Sequence, residues 1–450
     1  VGIGVVAIAG VLALAACSGG GGALATNTPS AGGGSSKHFT LVVPTSQAPW
    51  NPAYAKVIQE YQNETGNTID LRPFPNPNVK TQEVNDVQGG THTFDVYQIN
   101  EGGDLTQFNE NKWIQPFSKI DKSYKADKQI FSYSNIARWD AAKQVYDAQG
   151  VTTSAPLLGN VQVFIYRKDI YQKLGLKVPT TFQQMVDNGK KIEQAGAAKY
   201  GGAYRTQGIA GTAAASYDFQ ALMNASGASW FKKPGTDWTP TADSAAAVKA
   251  ATLYRDLALT GPDATTTMGQ AQVIAAIQSG NAAQGYAVAA AVGPLEDPNN
   301  SAVAGKLGYA VLPKAGQYAS SATGLWALAI PAGLPKDRAE NALSFIKWVT
   351  SQKAQTLFAQ YGGVPIRSDA YNPPAITPGI KAALTAVSTT ANELPATPTS
   401  LRYPIGTDML NVLEPVLTDI ASGAVTPEAG MQKIQSQLEA IVKKANLPTG

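Results

Sequence analysis

The chain has 450 residues, 44% of them hydrophobic and 8% aromatic, enough to bury more than one core, so two domains are expected. Only 15% of residues are charged and the formal net charge is +3, with no dense Lys/Arg stripe, so no nucleic-acid partner is expected. A single cysteine, Cys17, rules out an internal disulfide, and two histidines, His38 and His92, are too few for a Cys/His zinc site.

Residues 1–16 are uncharged, almost wholly apolar and end in Leu14-Ala15-Ala16-Cys17. So short a run is a poor transmembrane helix but suits a signal-peptide h-region. The tetrad resembles a bacterial lipobox, in which the cysteine takes a diacylglyceryl group and becomes the first residue of the mature protein. No Lys/Arg n-region or initiator Met precedes it, so the sequence is expected to begin inside the open reading frame or at a misread start codon. A buried cysteine closing an apolar helix is the rival reading, which Gly19 to Gly22 oppose. Residues 17–37 then read as a lipid-anchored tether of small and polar residues, with an r.m.s. reach of roughly 25 Å.

Phe39 to Val43 reads as a strand and 52–65 as a helix closed by Gly66, with Ile69/Leu71 and Phe94 to Ile99 as further strands. Gln162 to Arg167 is another strand, and Pro179-Thr180-Thr181 offers a cap for a helix over 182–194. Helices fit 244–259 with Asp243 as cap, 270–279 stopped by Gly280, and 337–349. A last helix begins at Thr426-Pro427-Glu428, presents Met431, Ile434, Leu438, Ile441 and Val442 on one stripe, and ends on Lys443 and Lys444. Strands alternating with helices predict an α/β fold with a mainly parallel sheet. No phosphate-binding loop, G-x-S-x-G elbow, H-E-x-x-H or EF-hand loop occurs, so no catalytic residue, cofactor or metal is assigned.

The order of Thr93–Val96, Trp113–Phe117, Pro156–Asp169, Leu174–Phe182, Ile277–Ala283, Leu325–Pro331, Ala339–Trp348, Thr350–Gln355 and Gly362–Arg367 resembles the family 1 extracellular solute-binding proteins, the maltose-binding-like class. The resemblance implies a type II periplasmic-binding-protein-like fold, with two α/β lobes joined by three hinge crossings near 157–161, 312–318 and 364–372. It places lobe 1 at 38–158 plus 318–368 and lobe 2 at 159–317 plus 369–450. It further implies a monomer on the outer side of the cell membrane, held by its lipid, that passes a carbohydrate to the permease subunits of an ABC importer. Within the family, Tyr166–Asp169, the Arg205 region, Leu295–Pro298 with Ser301–Ala310, and Trp326–Pro331 resemble the sugar-alcohol-binding branch. That branch leads one to expect an acidic residue after Gly280–Ala283, where Gly285-Tyr286-Ala287-Val288 stands here, so polyol and sugar both stay open.

A sugar offers hydroxyls around an apolar face, so its site needs polar side chains and an aromatic platform. Trp326 is a stacking candidate or an ordinary core tryptophan. Asn100 and Glu101 follow a strand end, the usual place for ligand-facing groups, although Glu101 also suits a helix start. Arg205 could fork onto two hydroxyls or make a structural salt bridge. Trp50 and Asn51 follow the first strand as contacts or as a hydrophobic staple. Asn160, Tyr286 and Arg367 lie at cleft or hinge positions implied by the resemblance, while Trp113 and Trp348 read as core. A glycosidase-like surface enzyme and a non-transport surface lipoprotein are the alternatives; the 32 Asp/Glu residues make some carboxylate pair inevitable, and no repeats are seen.

Overall fold

The computed structural model describes residues 38–450 except 76–77, 102, 132–137, 147–148, 264, 314–319 and 395–401. The expected signal peptide, Cys17 and the tether lie outside the described residues, as does most of the crossing expected near 312–318.

The first described element is the strand Thr40–Ser46, which pairs in parallel with Thr68–Phe74 across the helix Asn51–Thr65. That helix buries Tyr54, Val57, Ile58 and Tyr61 and stops at Gly66, whose φ of 70° places it in the left-handed region glycine tolerates. Next comes an antiparallel sheet in which Trp326–Ala329 lies between Tyr97–Asn100 and Ser154–Leu158. A third sheet sets Gln162–Arg167 between Gln284–Val288 and Leu307–Ala310, again antiparallel. The mainly parallel sheet is thus corrected: among the described strands only the first pair is parallel. Alternation shows which strands exist, but their direction follows from long-range returns, as where the chain comes back at Trp326 to run against Tyr97–Asn100.

Local signals hold up well. Thr181 caps the helix Phe182–Gln194 in a reciprocal box with Gln184, and Thr426 Oγ1 accepts from Ala429 N (3.2 Å) to open the helix Pro427–Lys444. The helix expected at 244–259 spans Ala245–Ala258, but Ser244, not Asp243, is its cap. Trp113 and Trp348 are half-buried at the edge of a core rather than inside it.

Buried side chains form two clusters. One is built around Leu41, Val43, Ile99, Trp326 and Phe345; the other around Phe219, Trp230, Tyr254, Leu417 and Leu438. The strand Gln162–Arg167 lies between them, with Val163 and Ile165 in the first and Phe164 in the second, as the two-residue period of a strand buried on both faces requires.

Candidate functional site

The polar and aromatic residues of interest gather where strands end. Trp50 is the N-cap of Asn51–Thr65, and Pro52 sets the first helical turn. Trp326 opens its strand opposite Asn100 on one side and Leu158 on the other. The two indoles meet at 5.4 Å between ring centroids, tilted by 52°, and each is only 4% exposed. The neighbouring segments hold buried polar atoms with no hydrogen-bond partner among the described residues: Ser46 Oγ at the end of Thr40–Ser46, Trp50 Nε1 and Asn51 Oδ1 at the helix start, and Gln98 Nε2 on the strand paired with Trp326–Ala329. Gln98 is held in place at its other end, where Oε1 accepts from Thr45 Oγ1 (2.6 Å) and Ser46 N (3.3 Å).

Glu101 follows directly. Its Oε1 accepts from Leu325 N (2.6 Å), its Oε2 accepts from Thr323 Oγ1 (3.2 Å), and Arg402 Nε donates to Oε2 at 2.5 Å. Arg402 Nη2 also donates to Thr323 Oγ1 (2.9 Å), and both charged side chains are essentially without solvent. Asn160 is fixed nearby: its carbonyl accepts from Gly324 N (2.9 Å) and its Oδ1 from Ala290 N (3.2 Å).

A second polar cluster belongs to the helix Ala215–Ala225. The Arg205 guanidinium lies 4.7 Å from the centre of the Tyr217 ring, and its Nη2 donates to Gln270 Oε1 (2.5 Å). Its Nε stands 3.7 Å from Asp218 Oδ1 and makes no hydrogen bond among the described residues. Asp218, fully buried, also accepts from Gln162 Nε2 (3.0 Å) and Arg205 N (2.8 Å). Burial pushes its carboxyl up to about 6, with Arg205 pulling the other way. Tyr217 approaches the first cluster through Gly324, where an added Cβ would stand 2.8 Å from the tyrosine hydroxyl.

Trp50, Asn51, Asn100, Glu101 and Trp326 therefore share one neighbourhood, and Asn160 adjoins it through Gly324. Arg205 and Tyr286 meet at Asp218, to whose carbonyl the Tyr286 hydroxyl donates (3.2 Å), but Tyr286 is fully buried between Phe182 and Tyr204 in the second core. Arg367 is committed elsewhere: it pairs with Asp127 (2.8 Å) and Asp369 (2.9 Å) and donates to Thr350 O (3.3 Å). These carboxylates hold its guanidinium above its ordinary value. Sequence reading missed Gln98, Tyr217, Asp218 and Arg402. Gln98 was within reach, being a polar residue inside the apolar strand before Asn100. Arg402, 301 positions from Glu101, carried no local signal.

Among the described residues no group of three or more His, Cys, Asp or Glu side chains could hold a metal ion, and no helix is long and apolar enough to cross a membrane.

Two hydrophobic cores, with Asn100, Glu101 and Trp326 at strand ends of the first and Arg205 and Asp218 beside the second, are the frame of a solute-binding protein, and comparison with known proteins agrees. Residues 45–356 match the family described as bacterial extracellular solute-binding protein, and the chain belongs to that family. It is 28% identical over 257 residues to the mannitol-binding protein of Pseudomonas aeruginosa, a match covering 56% of this chain and 55% of that protein's own length. A probable amino-acid ABC transporter periplasmic-binding protein of Sinorhizobium fredii is 24% identical over 334 residues, 72% of each chain. The solute-binding protein of Agrobacterium radiobacter K84 solved in complex with ribitol shares the fold, with a TM-score of 0.74 at 22% identity, covering 89% of this chain and 98% of the other.

Proposed function

We propose that this protein is the substrate-binding component of an ABC importer for an uncharged carbohydrate, a sugar or sugar alcohol, and that it catalyses no reaction. The observation that carries the reading is the pair Trp50–Trp326 together with Ser46 Oγ, Trp50 Nε1, Asn51 Oδ1 and Gln98 Nε2, which have no hydrogen-bond partner among the described residues. A buried polar group without a partner costs about 1–3 kcal/mol, so four of them are tolerable where a ligand completes them. Hydroxyls donate and accept at once, which suits this mixture of hydroxyl, indole N–H, amide oxygen and amide N–H. The indoles supply the apolar surface a carbon chain or ring lies against.

The charges support an uncharged ligand. Glu101 is matched by Arg402, and Asp218 by Arg205, so neither cluster has an excess charge for the ammonium and carboxylate of an amino acid. The name of the Sinorhizobium relative favours an amino acid as a second reading. We further propose lobes at 38–158 plus 318–368 and 159–317 plus 369–450, and a diacylglyceryl anchor on Cys17 outside the membrane. A panel of sugars, sugar alcohols and amino acids tests the function by thermal shift, with product analysis alongside. A polyol or sugar should raise the melting temperature and be recovered unchanged; stabilisation by an amino acid alone, or turnover of the sugar, would refute it.

A further inference from the structure

We propose that Glu101 and Arg402 form an electrostatic latch that holds the two cores together and sets how far the cleft is closed before any ligand arrives. Each partner is anchored to a different core. Glu101 follows the strand Tyr97–Asn100 of the first core, and its backbone N donates to Leu325 O (3.0 Å) while its Oε1 accepts from Leu325 N (2.6 Å). Arg402 precedes Tyr403, whose ring packs edge-on against Phe231 (5.4 Å) and Trp238 (5.6 Å) of the second core, and Ile405, buried in the same core. The guanidinium thus reaches from one core to a carboxylate and a hydroxyl, Thr323 Oγ1, that belong to the other.

The burial of the pair makes it a latch rather than a rivet. With side chains 1% and 2% exposed, both charges have lost their water, and the desolvation cost offsets much of their attraction. When the cores part, water returns to both, so separation is affordable. Removing one partner is different, because the closed form then buries an uncompensated charge and the open form does not. Neutralising both removes that penalty. This non-additivity separates a latch from a residue that merely supports the fold.

The test uses the full chain carrying Cys17→Ser, without ligand, so its outcome does not depend on which solute the protein takes. Small-angle scattering gives the radius of gyration of wild type, Arg402→Met, Glu101→Gln and the double variant, with melting temperatures measured in parallel. Each single variant should be more expanded than wild type, and the double variant more compact than Arg402→Met. For a carbohydrate identified by the panel, Arg402→Met should weaken binding at least tenfold and the double variant less. An unchanged radius in both single variants overturns the proposal, as does a double variant no more compact than Arg402→Met. Should Arg402→Met fail to fold, Glu101→Gln, which keeps an oxygen for Leu325 N, decides the matter alone against wild type.

Discussion

Replacing Trp326 by alanine probes packing and binding together. The side chain is 4% exposed, begins the central strand of its sheet and lies 5.4 Å from the Trp50 ring. Truncating so buried an aromatic costs about 3–5 kcal/mol of stability, the removed contacts and the cavity both counting. Of that, about 0.5–1.5 kcal/mol belongs to the indole–indole geometry and should appear as coupling in a cycle with Trp50→Ala. Trp326→Phe keeps part of the platform and should lose clearly less. Urea unfolding followed by circular dichroism is the suitable assay, because seven tryptophans make fluorescence ambiguous once one is removed. For binding, loss of an anchoring aromatic corresponds to about 2 kcal/mol, roughly 30-fold in Kd. A Trp326→Ala variant within about 1 kcal/mol of wild type in stability would show that the ring supports no core. One with reduced stability but unchanged affinity would place it in the core alone.

Three other outcomes follow from the same structure. Arg367→Ala should destabilise the protein by about 1.5–3 kcal/mol, since it removes charge-assisted hydrogen bonds to the part-exposed Asp127 and Asp369 and one to Thr350 O, while leaving ligand affinity in folded protein within twofold; a large affinity change would return Arg367 to the binding site. Glu414 accepts from Ala215 N (3.0 Å) and Ser216 N (3.0 Å), and burial pushes its carboxyl up to about 7. The folded state therefore holds this proton more tightly than the unfolded chain, so the associated stability is complete below pH 4.5 and fades as pH rises through about 7, with Asp218 acting likewise up to about 6. Melting temperatures between pH 4.5 and 7.5 should accordingly change less steeply in Glu414→Gln, and parallel profiles would refute the assignment. Cys17→Ser should move the protein from the detergent phase to the aqueous phase, and partition like wild type would refute the anchor.

What could be read in the sequence was local. Thr181 with Gln184, Thr426 before Pro427, and Gly66 each act on backbone groups within four residues, so their effect is visible in a short window. Trp50 and Trp326 were singled out because each stands beside an apolar strand pattern. What escaped depends on residues far apart in the chain. Glu414 serves the first turn of another helix some 200 positions away, and Arg402 reaches Glu101 across 301. Tyr286 looked cleft-facing only through family position; its strand, Gln284–Val288, is buried along its whole length, and after Gln284 the run from Gly285 to Val292 carries no polar or charged side chain except the Tyr286 hydroxyl, as a core segment does.

The central claim, an uncharged carbohydrate between two cores, is tested most directly by calorimetric titration of the purified full chain with mannitol, ribitol, maltose and a set of amino acids. At least one of the neutral polyhydroxy compounds should bind at one site per chain, with a negative heat-capacity change as the indoles and ligand carbons leave water. Saturable binding of an amino acid, with none of the carbohydrates bound, would contradict the account.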